Sequence, residues 1–411
     1  MTYKYLIIGG GVAGVTAAET IRQNDPEGSI AIVSDEPYLL YSRVMLSKPN
    51  FFLEKTPLDQ IWLKGQQWYA EKNISFVGGH SVTAIDSNSK NIYLSNGDKI
   101  GYDKLLIAIG TATRKASIPG ADKKGIHYLK TLEDAKGIIS DLKNAKKAVT
   151  VGGGFIGFEM ADLMQMAKMN TTVVVREPCF WHPTLDEESG LIIENAMKKT
   201  SLEIIHNNEV VEIMGGERVE SVRLKDGKVI PCDLIVFGIG TSNDFSWING
   251  AGIKTNKGIL ANEFLETSVA DIWTAGDVAE YKDLLLEEYI QMGNWVSAHE
   301  QGRVAGLGMV GKQTPFKFIS FYTTTGFGLG IAFVGDVNFH PDRQVVVRRE
   351  PEKNSIGRII IDHNEIAGAT LINRTQEMGT ISKLIEKNVD VSGHLAELGD
   401  VGFDLKGLLE L

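Results

Sequence analysis

Two glycine fingerprints of the form G-x-G-x-x-G, each set between a β-rich run and a helical run, constrain this chain more than any other feature. The first is Gly9-Gly10-Gly11-Val12-Ala13-Gly14, directly after Leu6-Ile7-Ile8. The second is Gly152-Gly153-Gly154-Phe155-Ile156-Gly157, directly after Ala148-Val149-Thr150-Val151. In such a turn the first glycine (Gly9, Gly152) permits the tight bend out of the strand. The second (Gly11, Gly154) lets the backbone approach a pyrophosphate, and the third (Gly14, Gly157) lets the helix lie close on the sheet. The free N–H groups and positive dipole end of the following helix then face the phosphates. A single copy is a weak signal; two copies predict two dinucleotides on one chain, and hence electron transfer between them.

The strand after each fingerprint carries the next clue. In the first half, Ser29-Ile30-Ala31-Ile32-Val33 ends at Ser34-Asp35-Glu36, where a carboxylate can accept bonds from adenosine ribose hydroxyls. Asp35 is favoured, with Glu36 as the close rival. In the second half, Thr172-Val173-Val174-Val175 ends at Arg176-Glu177. An arginine there suits the 2′-phosphate of NADPH, whereas an acid suits the free 2′-hydroxyl of NADH. The two residues point in opposite directions, with a slight lean to NADPH.

Four further segments follow in order: Asp35-Glu36-Pro37-Tyr38-Leu39-Leu40-Tyr41-Ser42-Arg43 with Leu46-Ser47-Lys48, then Tyr102 to Thr111, then Thr274-Ala275-Gly276-Asp277, then Asn294 to Gly302. With them the chain resembles the FAD-dependent pyridine nucleotide-disulfide oxidoreductase superfamily. Within it, the chain is similar to the branch of rubredoxin reductases, ferredoxin reductases and apoptosis-inducing-factor-like proteins. Val44 stands where that family usually has proline, and Ile109 where it has threonine. The resemblance implies that Arg43 and Lys48 contact FAD and that Gly110 and Thr111 close the first FAD segment. It also implies that Gly276 and Asp277 serve the ribityl chain and that Trp295 flanks the isoalloxazine. On the nucleotide side it gives Phe155 as the residue that shields or stacks on the nicotinamide, beside Ile156 and Gly240. Glu159 takes the place of an acid that points back to the flavin. Lys48 and Glu159 would then pair beside flavin N5, the lysine favouring the electron-rich reduced ring. The blander alternatives are a first-turn acid stabilised by the helix dipole for Glu159 and a core anchor for Trp295.

The cysteines exclude a related chemistry. Only Cys179 and Cys232 occur, and the stretch Tyr41 to Pro49, where disulfide reductases of this superfamily hold their redox pair, has none. Dithiol exchange is therefore out, no metal motif is present, and both thiols read as structural residues of a cytoplasmic protein. A net charge of −10 argues against nucleic acid or an anionic membrane as partner. It leaves open an acidic rubredoxin or ferredoxin that meets a local basic patch. No apolar run approaches the ~20 residues of a membrane span, and the opening residues run straight into a core strand, so no cleavable signal is expected.

At 411 residues the chain suits an α/β fold of two Rossmann-like, glutathione-reductase-like domains plus an α+β C-terminal domain. The expected division is 1–113 and 244–312 for FAD, 114–243 for NAD(P)H, and 313–411 for a carrier dock or a homodimer interface. Small β meanders are expected at 81–94 and 220–227. The C-terminal part should open with strands around 316–333, 344–348 and 358–361, followed by a helix over 375–388. Gly326, Gly328 and Gly330 lack a following Lys-Ser/Thr, so they read as a bent or bulged strand. Arg343, Arg348, Arg349, Lys353 and Arg358 read as a solvated face paired with Glu350 and Glu352, with an acidic-protein dock as the competing reading. The function expected is an NAD(P)H-dependent FAD reductase that passes electrons to rubredoxin or ferredoxin. An NAD(P)H oxidase or quinone reductase, or a slow-turnover flavin redox sensor or assembly subunit, are the alternatives.

Overall fold

The computed structural model describes residues 1–410 and divides into two compact units, each drawn from three stretches of chain. The first comprises Met1–Val44, Pro57–Ala112 and Thr241–Phe318; the second comprises Met45–Thr56, Thr113–Gly240 and residues from 319 onward.

The first unit is built on a mostly parallel sheet in the order 74–78, 30–34, 2–8, 99–107, with the antiparallel meander 91–94 and 82–86 continuing it. The long strand Lys99–Ile107 is shared: its first residues pair with the meander, and its last pair in parallel with Ile272–Thr274. Strand Ile30–Ser34 is buried at every position, as expected for a parallel strand covered on both faces. Helix Val12–Asn24 packs on helix Trp295–Met309 through small residues. A Cβ at Gly302 would fall on the Ala13 backbone, and one at Gly306 would crowd Ala17.

The second unit repeats the arrangement with a five-stranded parallel sheet in the order 203–205, 170–174, 147–151, 234–237, 126–127. A three-stranded meander, 210–214, 221–224 and 229–231, is attached. The fold is thus α/β with two Rossmann-like sheets, followed by an α+β C-terminal region.

That C-terminal region is a five-stranded antiparallel sheet in the order 321–326, 329–335, 365–372, 355–362, 344–350. Alternate residues serve its two faces: Ile331 and Phe333 join the cluster around Phe158 and Phe180, while Ala332 and Val334 join Ile381, Leu384 and Ile385 of helix Met378–Glu386. Where the sequence suggested a bent strand, Phe327 and Gly328 form a two-residue hairpin turn with φ of 51° and 76°, the geometry that favours glycine. Strand Glu365–Ile372 was not expected. Its signal was the turn at His363 and Asn364, both at positive φ, since asparagine tolerates that region well.

The basic run of this region is paired, though largely not with the acids expected. Arg343 bonds Asp336 and Asp362, Arg349 pairs with Glu188, and Arg358 with Asp186; Lys353 alone takes the expected Glu350. Arg348 is not solvated at all. It is 1 % exposed and donates to the carbonyls of Leu398 (2.8 Å), Phe403 (3.0 Å) and Glu397 (3.3 Å). Arg348→Met is expected to cost roughly 3 kcal/mol or more, because each buried carbonyl left without a donor costs about 1–3 kcal/mol. A urea titration checks the loss of stability, and limited proteolysis should cut first within 395–410. Among the described residues no helix is long and apolar enough to cross a membrane.

Candidate active site

In the first unit, three strand ends meet at glycines. Strand Thr2–Ile8 leads into Gly9, Lys99–Ile107 into Gly110, and Ile272–Thr274 into Gly276, with φ of 117°, 67° and 82°. A crevice outside the carboxyl ends of parallel strands is where this class of fold takes ligands. A Cβ at Gly9 would overlap the Ala108 carbonyl, and one at Gly14 the Gly9 carbonyl, so backbone here lies against backbone. Gly11, by contrast, is the N-cap of helix Val12–Asn24, has no side-chain cap and has nothing within 4 Å of where a Cβ would sit. The turn is closed on its protein side and open on the side where a pyrophosphate would approach.

Thr111 directly follows Gly110. Gly276 donates its N–H to Gln301 Oε1 at 2.8 Å, and fully buried Gln301 donates in turn to Ser297 Oγ at 3.0 Å. Gln301 therefore fixes the turn that presents Asp277, a role that its place in a helix motif did not disclose. Gly293 lies so close that a Cβ there would sit 3.1 Å from the Asp277 carboxyl carbon. Trp295, half-buried, opens helix Trp295–Met309 behind the Asn294 cap, which accepts from the Ser297 N–H at 2.7 Å. Asp35 is exposed and accepts from the Glu36 N–H at 2.9 Å. Half-buried Glu36 takes Tyr41 Oη at 2.7 Å and Arg43 Nη2 at 2.6 Å. The rival acid is thus the one held in a network, together with Arg43.

The second unit repeats the cradle. Gly152 has φ 120°, a Cβ on it would overlap the Gly238 carbonyl, and one on Gly157 would overlap the Gly152 carbonyl. Gly154 caps helix Phe155–Met166 with no side-chain cap and with open space beside it. Ile156 packs where Gly238 has no side chain, and Gly240 follows at φ 95°. Phe155 lies in a ring cluster, stacked at 5.8 Å on Tyr322 and edge-on to Trp181 and Phe333. Strand Asn170–Val174 stops short of Arg176 and Glu177, and Arg176 donates twice to Glu177 Oε1, at 3.0 and 2.7 Å. Each of these two residues therefore offsets the charge of the other.

Lys48 and Glu159, far apart in sequence, meet within this unit: Lys48 Nζ lies 2.7 Å from Glu159 Oε1. Glu159 is 7 % exposed and lies beyond the first turn of helix Phe155–Met166, which holds no acid. A third group, Thr324 Oγ1, donates to the same oxygen at 2.6 Å. One turn along the helix, Asp162 accepts the Phe327 N–H at 2.9 Å. Lys48, Glu159, Asp162 and Phe327 line a cleft of about 750 Å³ together with Met45 and Met166.

Burial pushes the Asp162 carboxyl above its ordinary 3.8, the Phe327 N–H opposes this, and the charge of Glu159 adds to it. A carboxyl whose folded value is raised destabilises the fold above that value and not below 3.8, where folded and unfolded chains are both protonated. Asp162→Asn, which keeps an acceptor for Phe327, is therefore expected to raise the melting temperature at pH 7–8. The gain should fade as pH falls towards 4, and melting curves across that range check it.

Both cysteines are free and buried. Burial raises the thiol of Cys179 and lifts that of Cys232 to about 12, so neither supplies a thiolate at neutral pH. Among the described residues no cluster of His, Cys, Asp and Glu could hold a metal ion.

Two glycine cradles, each shut to side chains and open at a helix N-terminus, are the geometry of a protein that holds two dinucleotides. The chain matches the family model for pyridine nucleotide-disulphide oxidoreductases over residues 3–302, and that for the reductase C-terminal domain over residues 324–409. It is 29 % identical to the NAD(P)H nitrite reductase of Bacillus subtilis across 95 % of this chain, but spans about half of that protein, 48 %. It is 27 % identical to the NADH-rubredoxin oxidoreductase of Clostridium acetobutylicum, over 94 % of this chain and 95 % of the other. The crystal structure of a covalent putidaredoxin reductase–putidaredoxin complex superposes with a TM-score of 0.92 at 25 % identity, covering 99 % of this chain and 98 % of that one. The chain belongs to the pyridine nucleotide-disulphide oxidoreductase family, whose cofactors are FAD and a pyridine nucleotide.

Proposed function

We propose that this chain is an NAD(P)H-dependent FAD oxidoreductase that passes electrons to a small iron protein of the rubredoxin or ferredoxin type. The observation that carries the reading is the pair of glycine cradles accompanied by a half-buried Lys48–Glu159 ion pair, in a chain with no cysteine between Tyr41 and Pro49. An acceptor outside the protein is then required. The NADH-rubredoxin oxidoreductase and a ferredoxin–NAD(+) reductase component of a biphenyl dioxygenase system, 27 % identical over 98 % of this chain, support an iron protein in that role.

In this reading residues 1–113 and 244–312 bind FAD, 114–243 bind NAD(P)H, and 313–411 serve docking or assembly. Gly9, Gly11 and Gly14 admit the FAD pyrophosphate, Glu36 or Asp35 its ribose, and Asp277 its ribityl chain, while Arg43, Gly110, Thr111, Gly276 and Trp295 complete the enclosure. Gly152, Gly154, Ile156, Gly157 and Gly240 admit the nicotinamide dinucleotide, Arg176 and Glu177 meet its adenosine ribose, and Phe155 covers its ring. When bound, FAD accepts two electrons together and can release them singly. Lys48 supplies positive charge to the reduced ring, and Glu159 orients that lysine. The two buried, unpaired thiols support a cytoplasmic location.

Anaerobic stopped-flow mixing of the yellow protein with NADH or NADPH, followed by oxidised rubredoxin or ferredoxin, tests the proposal. Fast bleaching and then reoxidation by the iron protein are expected. Bleaching reversed only by oxygen or a quinone, or a persistent long-wavelength charge-transfer band, would replace this reading by oxidase or sensor. A second reading is favoured by length: the chain corresponds to about half of the nitrite reductase, so it can act as the electron-input part of a larger assembly. In that case isolated carriers would accept electrons slowly, and a co-purified acceptor subunit would accept them fast.

A further inference from the structure

We infer that Thr324 is a positioning residue of the hydride-transfer site, which makes the C-terminal hairpin Phe321–Gly335 a working part of that site; the inference rests on the function proposed above. Glu159 Oε1 receives two donors, Lys48 Nζ at 2.7 Å and Thr324 Oγ1 at 2.6 Å. The two differ in what they can hold. Lys48 reaches the carboxylate on a long stem that is 29 % exposed, and a lysine ammonium has three rotatable donors on four flexible carbons. Thr324 is 3 % exposed, has one stiff side-chain torsion, and sits in a strand whose partner residue is Ile331. The threonine therefore sets the orientation of the carboxylate, and the lysine follows it.

The hairpin is itself fixed to the helix that carries Glu159. Phe327 donates its N–H to Asp162 Oδ1 at 2.9 Å, one turn beyond Glu159. Gly326 lies against Phe158 so closely that a Cβ there would stand 2.7 Å from the ring. Two hydrogen bonds and one contact that only glycine allows thus pin this hairpin along a single helix face. The family fingerprints, which lie in the two dinucleotide halves, contain nothing from the hairpin.

Thr324→Val keeps the side-chain shape and removes the donor, and Thr324→Ser restores it. A hydrogen bond to a charged group contributes about 1.5–3 kcal/mol, so the limiting rate of flavin reduction should fall roughly 10–100-fold. The nucleotide concentration giving half-maximal rate should stay unchanged. The flavin midpoint potential, measured by equilibration with a redox dye and no pyridine nucleotide, should move to a more negative value as the lysine charge is held less firmly. Serine should recover both. An unchanged potential and rate in Thr324→Val, or a serine variant as impaired as valine, overturns the inference. Flavin content and melting temperature are measured for each protein, and Thr324→Ala replaces valine if that variant fails to fold. A wild-type protein that NAD(P)H cannot reduce would refute the proposed function, while the dye measurement would still decide the role of Thr324.

Discussion

Gly157→Ala is expected to give a folded, yellow protein that NAD(P)H no longer reduces at a useful rate. The methyl group would have to occupy the position of the Gly152 carbonyl oxygen, so helix Phe155–Met166 must move away from the turn that precedes it. Its N-terminus is the proposed pyrophosphate site, and a misplacement of about 1 Å costs roughly 100-fold in rate. The specificity constant for nucleotide should fall by about that factor, with the loss concentrated in saturation rather than in the flavin itself. Bleaching by dithionite should proceed as in the wild type, because the altered turn belongs to the second cradle alone. Retention of ordinary NAD(P)H reduction in this variant would contradict the assignment of that cradle.

The counterpart, Gly14→Ala, should lose the flavin. Its methyl group would overlap the Gly9 carbonyl and press on Ile7 Cγ2, at 3.0 Å. Overpacking of this kind costs about 1–3 kcal/mol, which corresponds to roughly 10–100-fold weaker FAD binding. The protein should emerge from gel filtration pale or colourless, with near-native far-ultraviolet circular dichroism. Added FAD should restore colour only at high concentration. A variant that keeps a full complement of tightly bound flavin would show that the first turn does not receive the pyrophosphate. The two alanine variants together separate the cradles, since each removes one nucleotide and spares the other.

Both cradles were legible in the sequence because their constraint is local. A strand, a bend and a helix start within six residues can be met by few residue types, and glycine at fixed spacing records it. Lys48 and Glu159 were legible only through their motifs, since nothing in their separate surroundings announces a contact across the chain. Thr324 and Gln301 were not singled out as site residues. Threonine and glutamine are common, and their roles depend on which hairpin or helix the tertiary fold brings alongside. The charged run from Arg343 to Arg358 looked like a surface for the opposite reason. A string of cations in sequence is usually solvated, yet an antiparallel strand points alternate residues to opposite faces, and this turned Arg348 inward. The strand Glu365–Ile372 was overlooked because its glycine and two alanines dilute the β-branched pattern, although the asparagine turn before it was visible.

The division of each unit among three stretches of chain governs the order in which the molecule can be made. Strand Lys99–Ile107 leaves the ribosome long before Ile272–Thr274, its parallel neighbour, and helix Val12–Asn24 long before Trp295–Met309, which covers it. Until those later segments arrive, Ala13 and Ala17 face water and the nascent sheet lacks its last parallel strand. Such non-local closure slows folding and leaves apolar surface open to association. Synthesis halted anywhere between residues 112 and 270 should therefore yield a fragment that binds chaperones and no flavin, because the first unit is complete only when its third stretch has emerged.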